Sequence, residues 1–361
     1  MRAQHLSTEN TLWRYANFAI HPTQTNLLVT LREDHTDDPD GTNPGGVVNT
    51  ICVVDTLAKT PAVNVIVNGA GFYASPVLNP SGNKIAWQQW DLPDMPWQGG
   101  IVYVADVTVD SGSLTVSQNH VLVAGEKGIA SATFPSWITD TTLAFTTDAL
   151  NKFQNPFIFH TDTGSSTVVL KEPLTRDFAE PAWYLGLYPY AILGGGKYGI
   201  FTAFKDGGNI FYIIDLTAPS DPVLISPPKD SDYTVAQHVR RASDNTFVFT
   251  ASNSSTPGGV IKGTVSRSPG SYIVDFTVLK ASATDLHLER YISKPRPITL
   301  PMSGYSIYAV YYAPYNLDYS GPIDPNEKPP CIVGVHGGPT GLESQALNWT
   351  KMYYTSRGFA W

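Results

Sequence analysis

Ser75-Pro76-Val77-Leu78-Asn79-Pro80-Ser81-Gly82, then Ile85-Ala86-Trp87, then Ile101-Val102-Tyr103-Val104-Ala105-Asp106, is the stretch on which the fold turns. A short segment closes in a turn rich in Pro and Gly. An apolar strand follows, and after a polar loop a second apolar strand ends on aspartate. The same order recurs. Phe18-Ala19-Ile20-His21-Pro22 leads to Leu27-Leu28-Val29 and Ile51-Cys52-Val53-Val54-Asp55. Pro135-Ser136-Trp137 leads to Leu143-Ala144-Phe145 and Phe157-Ile158-Phe159-His160-Thr161-Asp162. Pro181-Ala182-Trp183 leads to Ile200-Phe201-Thr202-Ala203-Phe204 and Ile210-Phe211-Tyr212-Ile213-Ile214-Asp215. A weaker fifth unit runs from Phe247-Val248-Phe249 to Val260-Ile261. The aspartates at 55, 106, 162 and 215 lie 51, 56 and 53 residues apart.

Several short strands per unit at such a period are the pattern of propeller blades, small sheets that bury their faces against one another. The rival arrangement is a set of stacked β-sandwiches, which requires alternation between sheets. The recurring turn–strand–loop–strand order lacks that alternation, so the expected fold is mainly β, with a β-propeller over residues 1–285.

Composition agrees. Of 361 residues only 15% are charged, while Gly 30, Pro 28, Tyr 19, Phe 15 and Trp 8 supply turns and aromatics. These are the residues of β-rich, loop-rich folds. The net charge of -8 with no basic run argues against nucleic acid and anionic membranes as partners. No run reaches the ~18 apolar residues of a membrane helix, and Met1-Arg2-Ala3-Gln4-His5 opens no apolar leader. Cys52 and Cys331 each sit inside an apolar run and read as two buried thiols in a reducing compartment. The expected location is therefore cytoplasmic. The acidic group Glu33, Asp34, Asp37, Asp38 and Asp40 lacks the spacing and closing ligand of a calcium loop and reads as a solvated connection.

After about Asp285 the pattern changes. Ile298–Tyr312 reads as a hairpin about Met302-Ser303-Gly304. Cys331–Val335 is apolar without alternation, as in a strand covered on both faces. Leu342–Ser356 is compatible with an amphipathic helix, Gly358 with its terminating glycine, and Phe359-Ala360-Trp361 with a further strand. Strand, Gly-rich turn, helix and strand open an α/β fold over residues 286–361.

Between that strand and helix lies His336-Gly337-Gly338-Pro339. In α/β-hydrolases a turn of this kind aims backbone N–H groups at the oxyanion of an acyl-transfer intermediate. Two glycines permit backbone shapes and a close substrate approach that side chains would block. Gly337 and Gly338 are the candidate donors, with His336 and Pro339 as support; the bland alternative is an ordinary tight turn. His336 reads as a hydrogen-bonder within the turn, because the triad histidine of such folds comes last in chain order. No Gly-x-Ser-x-Gly and no His-Glu-x-x-His occurs, and no metal or cofactor is implied. Gly194-Gly195-Gly196-Lys197-Tyr198-Gly199 matches a dinucleotide fingerprint only formally: a strand follows it instead of a helix, so a blade hairpin explains it better. Trp87 to Trp97 holds three tryptophans; Trp90, Asp91, Met95 and Trp97 could form a substrate-facing loop, although packing onto their own blade is the favoured reading.

Two stretches resemble the prolyl oligopeptidase family of serine peptidases, in its acylaminoacyl-peptidase and dipeptidyl-aminopeptidase-like branch. The first runs from Ser75 to Asp106 and carries Ser-Pro-x-x-x-Pro-x-Gly, Ala-Trp-x-x-Trp-Asp-x-Pro-x-Met-Pro-Trp and Val-x-x-Ala-Asp. The second runs from Lys328 to Ala360 and carries Val-x-x-His-Gly-Gly-Pro-Thr and Thr355-Ser356-Arg357-Gly358-Phe359-Ala360. Tyr291-Ile292-Ser293-Lys294-Pro295 between them resembles the crossover from propeller to hydrolase. The resemblance implies a propeller capping an α/β-hydrolase, with residues 286–361 as the truncated start of the hydrolase domain. It also implies a Ser-Asp-His triad acting through an acyl-enzyme on short or N-blocked peptides. Only the oxyanion loop carries over; no catalytic residue of the triad has a counterpart in the chain, and the family's Asn-Tyr-x-Gly-Ser stretch is also missing. The chain by itself is thus expected to be inactive, and residues 286–361 to be poorly packed. The alternative is a non-enzymatic propeller that binds peptides or protein loops.

Overall fold

The computed structural model describes residues 10–58, 62–110, 112–182, 184–225, 233–268, 271–283, 288–319, 321, 324, 326–338 and 340–361. It divides into two compact units. One comprises Met1–Leu187, Gly195–Lys197 and Asp215–Asp221; the other comprises Tyr188–Gly194, Tyr198–Ile214 and Pro222–Trp361.

The described residues form five antiparallel meanders, the blades of a β-propeller. The first contains β1 (Trp13–Ile20), β2 (Leu27–Asp34), β3 (Val48–Asp55) and β4 (Val63–Val67). The second contains β5 (Phe72–Leu78), β6 (Lys84–Trp90) and β7 (Ile101–Asp110), with a short helix α1 (Pro96–Gly99) between β6 and β7. The far half of β7 folds back as a hairpin with β8 (Ser113–Val116), while its near half pairs with β9 (Val121–Ala124). The third contains β10 (Ala132–Trp137), β11 (Thr142–Thr147), β12 (Asn155–His160) and β13 (Ser165–Val168). The fourth contains β14 (Tyr190–Leu193), β15 (Tyr198–Lys205), β16 (Gly208–Asp215) and β17 (Val223–Ile225). The fifth contains β18 (Val235–Arg241), β19 (Thr246–Ser252), β20 (Gly259–Ser268) and β21 (Ser271–Ala281).

The sequence repeat thus maps onto the first three strands of the first three blades; in the fourth the expected opening at Pro181-Ala182 precedes β14, so only its later runs fall on strands, β15 and β16, and in the fifth the two runs fall on β19 and β20. Its Pro-bearing opening has a geometric cause. In four blades the register of the first strand slips, between Ala16 and Ala19, Ala74 and Val77, Thr133 and Ser136, and Gln237 and Arg240. Asn17, Ser75, Phe134 and His238 lie in these slips with positive φ (58°, 50°, 52° and 57°). These are β-bulges, places where a strand bends and where proline, lacking an N–H, is tolerated; Pro76 and Pro135 occupy two of them. Within the first unit the bulges join neighbouring blades: the Ser75 N–H donates to Asn17 Oδ1 at 3.1 Å. Two of the repeat-closing aspartates, Asp55 and Asp215, finish third strands, whereas Asp106 lies within β7 and Asp162 two residues past β12. The Asp55 carboxylate accepts from Asn26 Nδ2 and the Leu57 N–H, at 2.8 and 3.0 Å. Asp215 accepts from the N–H and hydroxyl of Thr217. Both are Asx-turns that stop a strand.

The cores lie between sheets. Val29, Ile51, Ile85 and Trp87 are fully buried where the first and second blades pack, and Ala86, Val102, Leu143 and Phe145 where the second meets the third. In the second unit Leu193, Ile200, Phe211, Phe247 and Phe249 play that part for the fourth and fifth blades. Each such side chain is worth about 1.5–3 kcal/mol by area removed from water. The Gly194–Gly196 turn joins β14 to β15, so the glycine run is the expected hairpin. Trp183 falls outside the described residues.

Beyond the blades, β22 (Arg296–Met302) and β23 (Tyr305–Tyr311) form the expected hairpin, with Gly304 at φ +85° in its turn. Helix α2 (Trp349–Thr355) is shorter than the expected 342–356. Asn348 is extended (φ -125°) and its Oδ1 accepts from the Lys351 N–H at 3.0 Å, which starts the helix there. Gly358 has φ +91° and terminates it as expected. Cys331–Val335 does not form a strand. A parallel bridge joins Cys331 to Ala360 and nothing further pairs among the described residues. Val333 and Val335 are 80% and 87% exposed, and Cys331 is exposed too, so the expectation of a second buried thiol fails there. A strand without a neighbour on its other edge, or a layer on its faces, has nothing to hold it extended. Cys52 is buried as expected, and burial pushes its thiol pKa up.

Candidate functional site

The segments around the His-Gly-Gly turn already run side by side. The Tyr312 N–H donates to the Trp361 carbonyl at 2.8 Å, and the Tyr312 carbonyl accepts from the Trp361 N–H at 3.0 Å. On the other side of this last segment the Ile332 N–H donates to Ala360 O at 2.9 Å, and the Ala360 N–H to Pro330 O at 2.8 Å. Since α2 lies between the two parallel segments in sequence, the arrangement is a rudimentary βαβ unit.

The turn leaves this unit at its exposed end. Among the described residues the N–H groups of Gly337 and Gly338 meet no acceptor, and both residues are exposed. Gly338 has φ +111°, and a side chain there would stand 3.2 Å from the amide nitrogens of Thr340 and Gly341. Nothing lies within 4 Å of a side chain placed at Gly337. His336 Nδ1 bonds the Gly337 carbonyl at 2.9 Å, so its proton sits on Nδ1 and the ring serves the turn. Gly341 lies against that ring, and a Cβ there would be 2.5 Å from the Gly337 oxygen; only glycine fits. Free, outward N–H groups of this kind can donate to an oxyanion at about 2.7–3.1 Å. Pro339 lies outside the described residues.

No attacking group accompanies them among the described residues. Two threonine hydroxyls approach imidazoles, Thr167 at His160 (3.4 Å) and Thr23 at His21 (3.5 Å). Both belong to blades. His21 Nε2 is held by the Gly82 carbonyl at 3.0 Å, leaving no carboxylate to orient the ring.

Residues that sequence reasoning missed hold the other end of the turn. Gln345, 5% exposed, donates from Nε2 to the Asp206 carbonyl at 2.7 Å. Thr234 Oγ1 donates to the Gln345 carbonyl at 3.1 Å, and the Leu347 N–H to Asn253 O at 2.7 Å. Lys351, 4% exposed, donates to Ser344 O at 3.0 Å and pairs with Glu343 at 2.5 Å. Its ammonium lies 4.6 Å from the Tyr312 ring. Burial pushes the Tyr312 hydroxyl pKa up, against the opposing charge of Lys351. These partners are more than a hundred residues apart along the chain for Asp206 and Thr234, and no local pattern announces them.

The tryptophan loop belongs to the second blade. Trp90 is 8% exposed and stacks on Phe72 with ring centroids 5.3 Å apart. Trp87 is fully buried, and its Nε1 donates to Gln89 Oε1 at 2.8 Å. Asp91 is exposed and accepts the Gly71 N–H at 2.6 Å. The Met95 N–H donates to Gln98 Oε1 at 3.0 Å, and Met95 and Trp97 are half-buried. Among the described residues no helix is long and apolar enough to cross a membrane. The acidic loop spends its carboxylates on its own turns, Asp34 on Thr36, Asp40 on Thr42 and Asp38 on the Asn43 N–H.

No protein-family model and no curated protein matches the chain in sequence. Solved structures do match. A puromycin-hydrolysing peptidase of Mycobacterium tuberculosis is 28% identical, with a TM-score of 0.81 over 98% of this chain and 51% of its own. A puromycin hydrolase is 23% identical, with a TM-score of 0.83 over 99% of this chain and 51% of its own. A structure from work on two prolyl endopeptidases is 15% identical, with a TM-score of 0.65 over 96% and 46%. The chain spans about half the length of the structures it matches. Its fold is that of the propeller-bearing part of a peptidase. In fold the chain is similar to the N-terminal, propeller-bearing part of these prolyl oligopeptidase-like peptidases.

Proposed function

We propose that the chain is the N-terminal part of a serine peptidase that hydrolyses short or N-blocked peptides, and that the chain alone does not turn over substrate. The observation that supports this reading is the pair of exposed N–H groups at Gly337 and Gly338, without an acceptor among the described residues, on a turn that follows the segment bridged to Ala360. Residues 286–361 are then the start of an α/β-hydrolase domain and 1–285 the propeller before it. Gly337 and Gly338 would donate to the tetrahedral oxyanion, with His336 and Pro339 shaping the turn. Of the tryptophan loop, Asp91, Met95 and Trp97 keep surface that a peptide could meet, whereas Trp90 supports the loop from below. Two free cysteines accord with a reducing, cytoplasmic setting.

The similar structures include proteins that hydrolyse puromycin, so puromycin is a suitable probe beside aminoacyl and acyl-aminoacyl anilides. The purified 361-residue chain should release no product from any of them above the uncatalysed rate. Without nucleophile and base an oxyanion turn retains only a small effect. Turnover abolished by a serine-directed phosphonate would refute the claim of inactivity. Peptide binding without turnover, retained after deletion of residues 286–361, would favour the binding-module reading instead.

A further inference from the structure

We infer that Gln345 is a positioning residue that fixes the Gly337–Gly338 turn to the fourth and fifth blades. The inference rests on the oxyanion reading of that turn. Around the turn His336, Gly337, Gly338 and Gly341 are exposed and Thr340 is half-buried, and His336 Nδ1 donates within it to Gly337 O. Its placement must come from its two ends. One end is the short pairing of Pro330 and Ile332 with Ala360. The other is Gln345, four residues past Gly341.

The Gln345 side chain enters the hairpin turn between β15 and β16. Its Nε2 reaches the carbonyl of Asp206, itself at φ +51°, over 2.7 Å. Gly207 makes room: a Cβ there would stand 2.6 Å from Nε2, and its φ of +79° also favours glycine. The Gln345 carbonyl is held separately by Thr234 Oγ1, just ahead of β18. Asn253 then takes the Leu347 N–H. Its side-chain oxygen accepts from the N–H groups of Ser255 and Thr256, at 2.8 and 2.6 Å, so this anchor is itself an ordered turn. A buried amide that spends its donor on a strained blade turn fixes chain direction more firmly than a surface contact would. A shift of the hairpin would therefore pull on the turn through only three intervening residues, Leu342, Glu343 and Ser344.

The test uses the full chain and three variants. Gln345→Glu removes the donor at nearly constant volume. Gly207→Ala leaves position 345 untouched and expels its amide. Thr234→Val removes only the second anchor and serves if either of the others fails to fold. Exchange of the hydrogen-bonded amides that flank the turn, Ile332 and Leu347, should quicken by about tenfold or more in the first two, and by less in Thr234→Val, while exchange in β1–β13 stays unchanged. The imidazole NMR signals of His336 should move in the first two variants, a change that mere loss of global stability would not cause in the native state. Folded variants with unaltered exchange and an unaltered His336 signal would overturn the inference. The outcome is independent of whether the turn ever meets an oxyanion, which the turnover assay addresses.

Discussion

At the scale of single residues, His21 shows how one side chain joins two blades. Its Nε2–H donates to the Gly82 carbonyl at 3.0 Å, and its Nδ1 accepts from the Gln24 N–H at 3.0 Å. Gly82 has φ +78° and lies so close beneath the ring that a Cβ would clash with it. His21→Ala should cost about 1–3 kcal/mol, the scale of losing a buried polar contact. Gly82→Ala should cost more in the wild type than in His21→Ala, because only the backbone strain remains once the ring is gone. A double-mutant cycle by urea unfolding checks both; strictly additive costs would contradict the contact. His-Pro after the first strand and Pro-Ser-Gly after the fifth are legible in the sequence as turns. Their contact, 61 residues apart, is not, since local pattern carries no information about which turns meet. The same is true of the bulges: Asn17, Ser75, Phe134 and His238 share no residue type, only a place in the repeat.

At the scale of elements, the loop after the third blade holds Asp177, whose carboxylate accepts the Gln154 N–H at 2.8 Å. Burial pushes its pKa above the ordinary carboxylate range; the Gln154 N–H opposes this, and the Asp148 charge adds to the rise. The folded state therefore holds this proton more tightly than the unfolded chain. Acidification favours folding through this group, and that contribution is lost as pH rises through the elevated value. Asp177→Asn keeps an acceptor and removes the charge. It should be more stable than the wild type at about pH 7 and lose that advantage toward about pH 4, as read from urea midpoints. Helix α2 offers a second test: Asn348→Ala should cost about 1 kcal/mol and quicken exchange across Trp349–Thr355. Here sequence periodicity extended the helix seven residues too far toward its start. Apolar spacing over 342–348 exists, but Gln345 and the Leu347 N–H are spent on anchoring contacts to distant loops instead of on a helix. The strand expected at 331–335 failed for the opposite reason. Its composition is right, but a buried strand is made by its neighbours, and only Ala360 pairs with it.

At the scale of the whole molecule, the repeat of turn, strand, loop and strand was legible because each blade rebuilds the same sheet from the same alternation of apolar runs and stop signals. The fourth strands of the third and fourth blades were not, because they are short: Ser165–Val168 is exposed throughout and Val223–Ile225 spans three residues. Order should fall off along the chain in the same sense. A non-specific protease such as thermolysin should cut first between residues 313 and 341, where backbone hydrogen bonds among the described residues are sparse, and leave the blade strands intact; early cuts within β5–β7 would contradict this. The His-Gly-Gly turn was legible as a motif, whereas its setting on Gln345 was not. On the proposed reading the chain presents hydrogen-bond donors for an acyl-transfer intermediate and, among its described residues, no group able to attack. The most direct measurement is intact-mass analysis after prolonged exposure to a fluorophosphonate that labels activated serines. The account predicts an unmodified mass; a single stoichiometric adduct, mapped to one serine of the folded chain, would contradict it.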